Sequence, residues 1–136
     1  MKYFVTLLIF ICLTANATDK WVCPADSIAI YNYEFCEAEH KTFLADQADK
    51  KMNLVYKQLL SEPDVQAHRE LWVIAQRAWL KSSAAYCEAA VSKFSSVPAT
   101  RLEMKESCRE NQIIRRIEEL ESYCDSCVDS KPASNK

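Results

Sequence analysis

The sequence predicts an all-α domain, an antiparallel bundle of three main helices stapled by disulfides. Three observations carry this. None of the 136 residues is glycine, and sandwiches and barrels depend on glycine for primed turns and bulges. Two long stretches, Ser27–Leu60 and Asp64–Val91, contain no proline either, so nothing breaks a helix within them. Apolar residues in these stretches recur at helical steps rather than alternating.

In chain order, Met1-Lys2 precedes an apolar run from Tyr3 to Leu13, and Ala15-Asn16-Ala17 follows it. A charged start, a short apolar core and small residues at a cleavage site predict a signal peptide over residues 1–17. The run is too short to span a bilayer, and Cys12 within it leaves with the peptide. The remainder, beginning at Thr18, forms a single domain over residues 18–128. It is followed by a polar tail over 129–136 that contains Pro132 and predicts disorder.

Without Lys2 the balance is 16 Lys+Arg against 19 Asp+Glu, a net charge of −3. A mildly acidic surface argues against nucleic acid and anionic membrane as partners, and it favours a basic protein. Six cysteines remain: Cys23, Cys36, Cys87, Cys108, Cys124 and Cys127. In an exported domain that number predicts disulfides rather than a metal cage. Cys124 and Cys127 form a local pair, and the other four gather towards one end of the bundle with their pairing left open.

The first helical stretch, Ser27–Leu60, is one helix or two with a bend between Cys36 and Lys41. Its second half carries Phe43, Leu44, Ala48, Met52, Val55, Tyr56 and Leu59 on one stripe. Ser61 is the expected N-cap of the next helix, with Pro63 and Asp64 in its first turn. That helix, Asp64–Val91, is the expected central wall of the bundle. Val65, Leu71, Trp72, Ala75, Trp79, Ser82, Tyr86 and Ala90 form its stripe, and two tryptophans there are a large apolar payload. The short link at 61–63 makes it the antiparallel neighbour of the first helix. After a turn at Ser95–Pro98, Thr100 opens the third helix with Leu102, Ile113, Ile114, Ile117, Leu120 and Cys124.

Sites of chemistry are sparse. Cys124-x-x-Cys127 matches a redox motif, but it ends a helix and precedes a polar tail, so a closed staple is the stronger reading. Glu37-x-x-His40 matches half of a di-iron site without the second half that this chemistry needs. No nucleophile has an identifiable base, and there is no phosphate loop or cofactor motif. The expectation is therefore a protein that is not an enzyme and carries no cofactor. Asn53, Tyr56, Gln76, Trp79 and Arg116 lie on or beside the apolar faces. Buried together, they would satisfy one another as an interhelical network.

Ala48-Asp49-Lys50-Lys51-Met52-Asn53-Leu54-Val55-Tyr56, Ala75-Gln76-Arg77-Ala78-Trp79 and the late Cys108, Arg116 and Leu120 together resemble the lysozyme-inhibitor LprI N-terminal-like domain family. Cys23 and Cys36 resemble its two early cysteines. On this resemblance Asp49, Asn53, Tyr56, Gln76, Trp79, Arg116 and Leu120 are signature residues. The chain departs from the pattern at Ser83-Ala84, where the family has Arg-Asp, and at Ser95-Ser96, where it has Gly-Gly. The resemblance implies a non-enzymatic protein, periplasmic or secreted, that occludes the substrate cleft of a lysozyme. The turn from Lys93 to Arg101 is the candidate contact, with Lys93 and Arg101 as the candidate binding cations. Two alternatives stand beside it: a structural or small-ligand carrier of the cell envelope, marked by an apolar cavity between helices, and a thiol–disulfide protein using Cys124 and Cys127.

Overall fold

The computed structural model describes residues 21–23, 30–94 and 96–127, with side chains from 34 onward in the first helix. The expected signal peptide, the expected helix start at Ser27 and the tail beyond 128 lie outside these residues. The described chain is helical and contains no strand: α1 (Ile30–Leu59), α2 (Pro63–Gln66), α3 (Arg69–Val91) and α4 (Pro98–Ser122).

α1 is one continuous helix. Ser61 does not cap the helix that follows; its hydroxyl donates to the Gln58 carbonyl at 2.6 Å and closes the end of α1 instead. Glu62 holds the N-cap position of α2 in an extended conformation with no side-chain cap bond. Pro63 follows at the first helical position, where a missing N–H costs nothing. The expected single helix over Asp64–Val91 is broken. α2 ends after one turn, and a turn at Ala67-His68 restarts the chain as α3. Pro98 rather than Thr100 opens α4.

The largest correction concerns the centre of the bundle. α4, not α3, is the central element: it packs along α1 over much of its length and meets α3 along a shorter seam, while α1 and α3 have little direct contact. Cross-links fix the directions. Arg109 pairs with Asp46 and Asp49, Lys51 lies 3.5 Å from Glu121, and Cys127 packs on Val55, so residue numbers rise together and α1 and α4 are parallel. Between α3 and α4 they run oppositely: Glu88 meets Arg101 and Lys105, Cys87 bonds Cys108, Gln76 meets Arg116, and Trp72 packs on Tyr123.

The core follows from this arrangement. Met52, Val55 and Leu59 of α1, Val65 of α2, Ile113, Ile117 and Leu120 of α4, and Cys124 with Cys127 form one buried cluster. Trp72 and Trp79 reach it only partly. Of the rest of the expected stripe, Val65 is buried in α2 and Ala90 half-buried, but Leu71 is 65% and Tyr86 59% exposed, and Ala75 and Ser82 are exposed as well. Only Gln76, Cys87 and Val91 of α3 are buried.

The disulfides are Cys23–Cys36, Cys87–Cys108 and Cys124–Cys127. The last is the local staple expected from sequence, and both of its cysteines are buried. The other four do not gather at one level. Cys108 adjoins Arg109, which reaches Asp46, and Asp46 lies about three turns, or roughly 15 Å, beyond Cys36 on α1. The first bond ties the Trp21 segment onto α1, and the second ties α3 to α4.

Candidate functional site

Residues from three helices meet in a polar relay above the core. Arg116 of α4 is buried, and its Nε donates to the Gln76 side-chain oxygen of α3 at 3.0 Å. Its Nη1 donates to Glu119 at 2.7 Å, one turn on. The guanidinium lies 5.7 Å from the centre of the Trp79 ring, a cation–π distance. The Gln76 amide nitrogen in turn faces the Met52 sulfur of α1 at 3.7 Å. A buried cation is tolerated only when it is paired and hydrogen-bonded, and here the pairing fixes the register of α3 against α4.

Tyr56 stands beside this relay. The residue is half-buried, but its hydroxyl oxygen is covered. Burial pushes its pKa above the ordinary tyrosine value, while Arg69, Arg116 and Arg77 pull it back in part. Asn53 is exposed and takes no part in the relay, contrary to expectation. It follows Met52 by one residue, so it points about 100° away from the buried face of α1. Leu120 is fully buried in the core.

Asp49 belongs to a second cluster that sequence reasoning missed. Arg109 of α4 pairs with Asp49, with Asp46 at 2.9 Å and with Glu106 at 3.0 Å. Partial burial lowers the Arg109 pKa, but the hydrogen bonds to Asp49, Glu106 and Asp46 outweigh that and raise it. Glu106 and Arg109, like Asp46 and Asp49, are spaced three apart on their helices. That spacing was visible, but the parallel register joining the two pairs was not.

A groove of about 430 Å³ runs between α3 and α4 and reaches Asp49 of α1. Its apolar lining comes from Trp79, Leu80, Ala84, Cys87 and Ile113, and its charged lining from Asp49, Glu88, Lys105 and Arg109. It exists because α3 leans on α4 without closing onto α1. Ser83 and Ala84, small residues, line it.

The candidate binding cations lie at the turn between α3 and α4. Lys93 and Phe94 are exposed, and no ion pair is found for Lys93 among the described residues. Arg101 sits 3.6 Å from Glu88, which Lys105 also meets at 2.6 Å. The hydrogen bond and charge of Lys105 hold the Glu88 carboxyl below its ordinary pKa, with Arg101 adding to the effect. Arg101 is thus half committed to its own fold.

Other side chains singled out by pattern have structural work. His40 stacks on Trp21 with ring centres 6.1 Å apart. Among the described residues no group of three or more His, Cys, Asp or Glu is placed to hold a metal ion. The hydroxyls of Ser82, Ser83, Ser92 and Ser122 each donate to the carbonyl three residues back. No described helix is long and apolar enough to cross a membrane.

These features define a disulfide-stapled helical domain held in register by a buried arginine. The sequence profile of the family described as lysozyme inhibitor LprI matches residues 42–120. The match covers more than half of the chain, and the chain belongs to this family. The matched span takes in both polar clusters, the Cys87–Cys108 bond and the α3–α4 turn; it leaves out Cys23, Cys36, Cys124 and Cys127. No curated protein and no solved structure matches the chain.

Proposed function

We propose that the protein is an exported, non-enzymatic inhibitor that binds a lysozyme and covers its substrate cleft. Family membership over residues 42–120 carries this reading. The three disulfides support the location, since such bonds persist in oxidising compartments. On this reading residues 1–17 are removed on export, 18–128 form the domain and 129–136 a tail. The signature side chains serve the scaffold: Gln76, Trp79 and Arg116 set the register of α3, Asp49 joins α1 to α4, and Leu120 fills the core.

Hydrolysis by lysozymes depends on two carboxyl groups in a cleft. A blocker of such a cleft gains from a cation placed against them. The α3–α4 turn supplies Lys93, and Arg101 to the extent that it leaves Glu88. The test is inhibition of cell-wall hydrolysis by a basic, animal-type lysozyme at 0.15 M ionic strength, where the screening length is about 8 Å. Generic attraction between an acidic and a basic protein fades there, whereas a fitted contact persists. Replacing Lys93 and Arg101 together by Ala should weaken inhibition while lowering stability by no more than the exposed Arg101–Glu88 pair contributes, about 0–1 kcal/mol. Unchanged inhibition would remove this turn from the interface.

A second reading, a small-ligand carrier of the envelope, draws on the groove beneath Trp79. An amphiphile of matching size should perturb Trp79 fluorescence and saturate at one equivalent; an unsaturating response would count against it. The thiol–disulfide reading has no comparable support, because Cys124 and Cys127 are both buried and a reactive cysteine must be reached.

A further inference from the structure

The α3–α4 turn is held at both feet. Val91 and Ala99 are buried on its two sides, and Pro98 sets the first residue of α4. Just behind them the Cys87–Cys108 bond and the Glu88 bridges to Arg101 and Lys105 clamp the two helices together. Between the feet the fold leaves apolar side chains in water: Phe94 is 69% and Val97 47% exposed. A single exposed hydrophobe needs no explanation. Here, however, two sit within four residues at the tip of a clamped helical hairpin. The chain from Ala89 to Leu102 also carries Lys93 and Arg101 and no carboxylate, on a protein whose net charge is negative. An exposed aromatic residue next in sequence to a lysine, on a base that loses little freedom when it binds, is the make-up of an interface anchor.

We infer that Phe94 is the anchor of the inhibitory contact. Its ring enters a cleft of the partner walled by carboxylates, Lys93 meets those carboxylates, and Val97 packs at the rim. This deepens the reading of the protein as a lysozyme inhibitor and rests on it. The local charge selects the occupant: an acidic cleft attracts this tip, while a basic or purely apolar surface gains nothing from Lys93.

The experiment compares oxidised wild-type protein with Phe94→Ala and with Leu54→Ala, a comparably exposed apolar residue on α1. Each is titrated against the animal-type lysozyme at 0.15 M ionic strength, and its thermal midpoint is recorded. Phe94→Ala should weaken inhibition at least about tenfold, as loss of an aromatic anchor does. Its midpoint should stay put, and Leu54→Ala should behave as wild type. If wild type inhibits and Phe94→Ala inhibits equally, the anchor is wrong while the inhibitor reading stands. If both substitutions weaken inhibition alike, the contact is general stickiness and the anchor is likewise wrong. A lowered midpoint for Phe94→Ala would make the ring structural and overturn the inference. If wild type does not inhibit, the underlying reading itself fails.

Discussion

Arg116 is the residue on which the arrangement of the helices turns. Its guanidinium is held from α3 by Gln76 and Trp79 and from its own helix by Glu119. A hydrogen bond to a charged group contributes about 1.5–3 kcal/mol. Gln76→Leu should therefore lower the unfolding free energy by about that amount in urea titrations, because it leaves a buried cation short of an acceptor. Asn53→Ala, in the same signature but exposed, should change it by less than about 0.5 kcal/mol. Equal costs for the two would dissolve the distinction between relay and bystander. Tyr56 adds a pH dependence. Burial favours its neutral form, so its folded pKa lies above the ordinary value near 10. A raised folded pKa gives stability that is present below the unfolded pKa and lost as pH rises through the folded one. Wild type should therefore lose stability relative to Tyr56→Phe as pH climbs above about 10. Parallel pH curves for the two proteins would show that this hydroxyl is not desolvated.

At the scale of elements, α3 has the fewest buried residues of the three long helices, clamped to α4 beside the turn and looser away from it. It buries only Gln76, Cys87 and Val91 and is tied to α4 by the Cys87–Cys108 bond, the Glu88 bridges and the Gln76–Arg116 hydrogen bond. Closing a loop with a sequence separation of 21 contributes about 3 kcal/mol in the chain-entropy model. Replacing both cysteines by Ala should cost roughly that much, and amides of α3 should exchange with solvent faster than those of α1 and α4. Uniform protection across the three helices would contradict this. The same looseness explains what could be read in the chain. α1 was legible because Met52, Val55 and Leu59 repeat at helical steps and are all buried. The existence of α4 was legible from Ile113, Ile117 and Leu120. Its central place was not, because it also buries Arg116 and Glu106, and charged residues at such positions read as a solvated face. α3 drew the central role because it is rich in alanine and large apolar residues. Leu71, Ile74 and Tyr86 are nevertheless exposed, and no local pattern separates an apolar face with a partner from one without. The Gln76–Trp79–Arg116 group was visible as polar residues beside apolar stripes. The Arg109 cluster was not, since it depends on how two helices about 60 residues apart align.

At the scale of the molecule, the protein combines a rigid α1–α4 pair, a helix clamped beside it and a cationic, apolar turn at one end. On the proposed function the turn meets a lysozyme, and the net charge gives a basic enzyme a reason to approach. The attraction alone predicts on-rates and their salt dependence; the turn predicts that the complex survives screening. The measurement that bears most directly on this account is the rate of cell-wall hydrolysis by a purified basic lysozyme at 0.15 M ionic strength, titrated with the oxidised protein. Dose-dependent inhibition that approaches completion at a modest excess of the protein is expected. Hydrolysis that runs at its full rate under a large excess would contradict it.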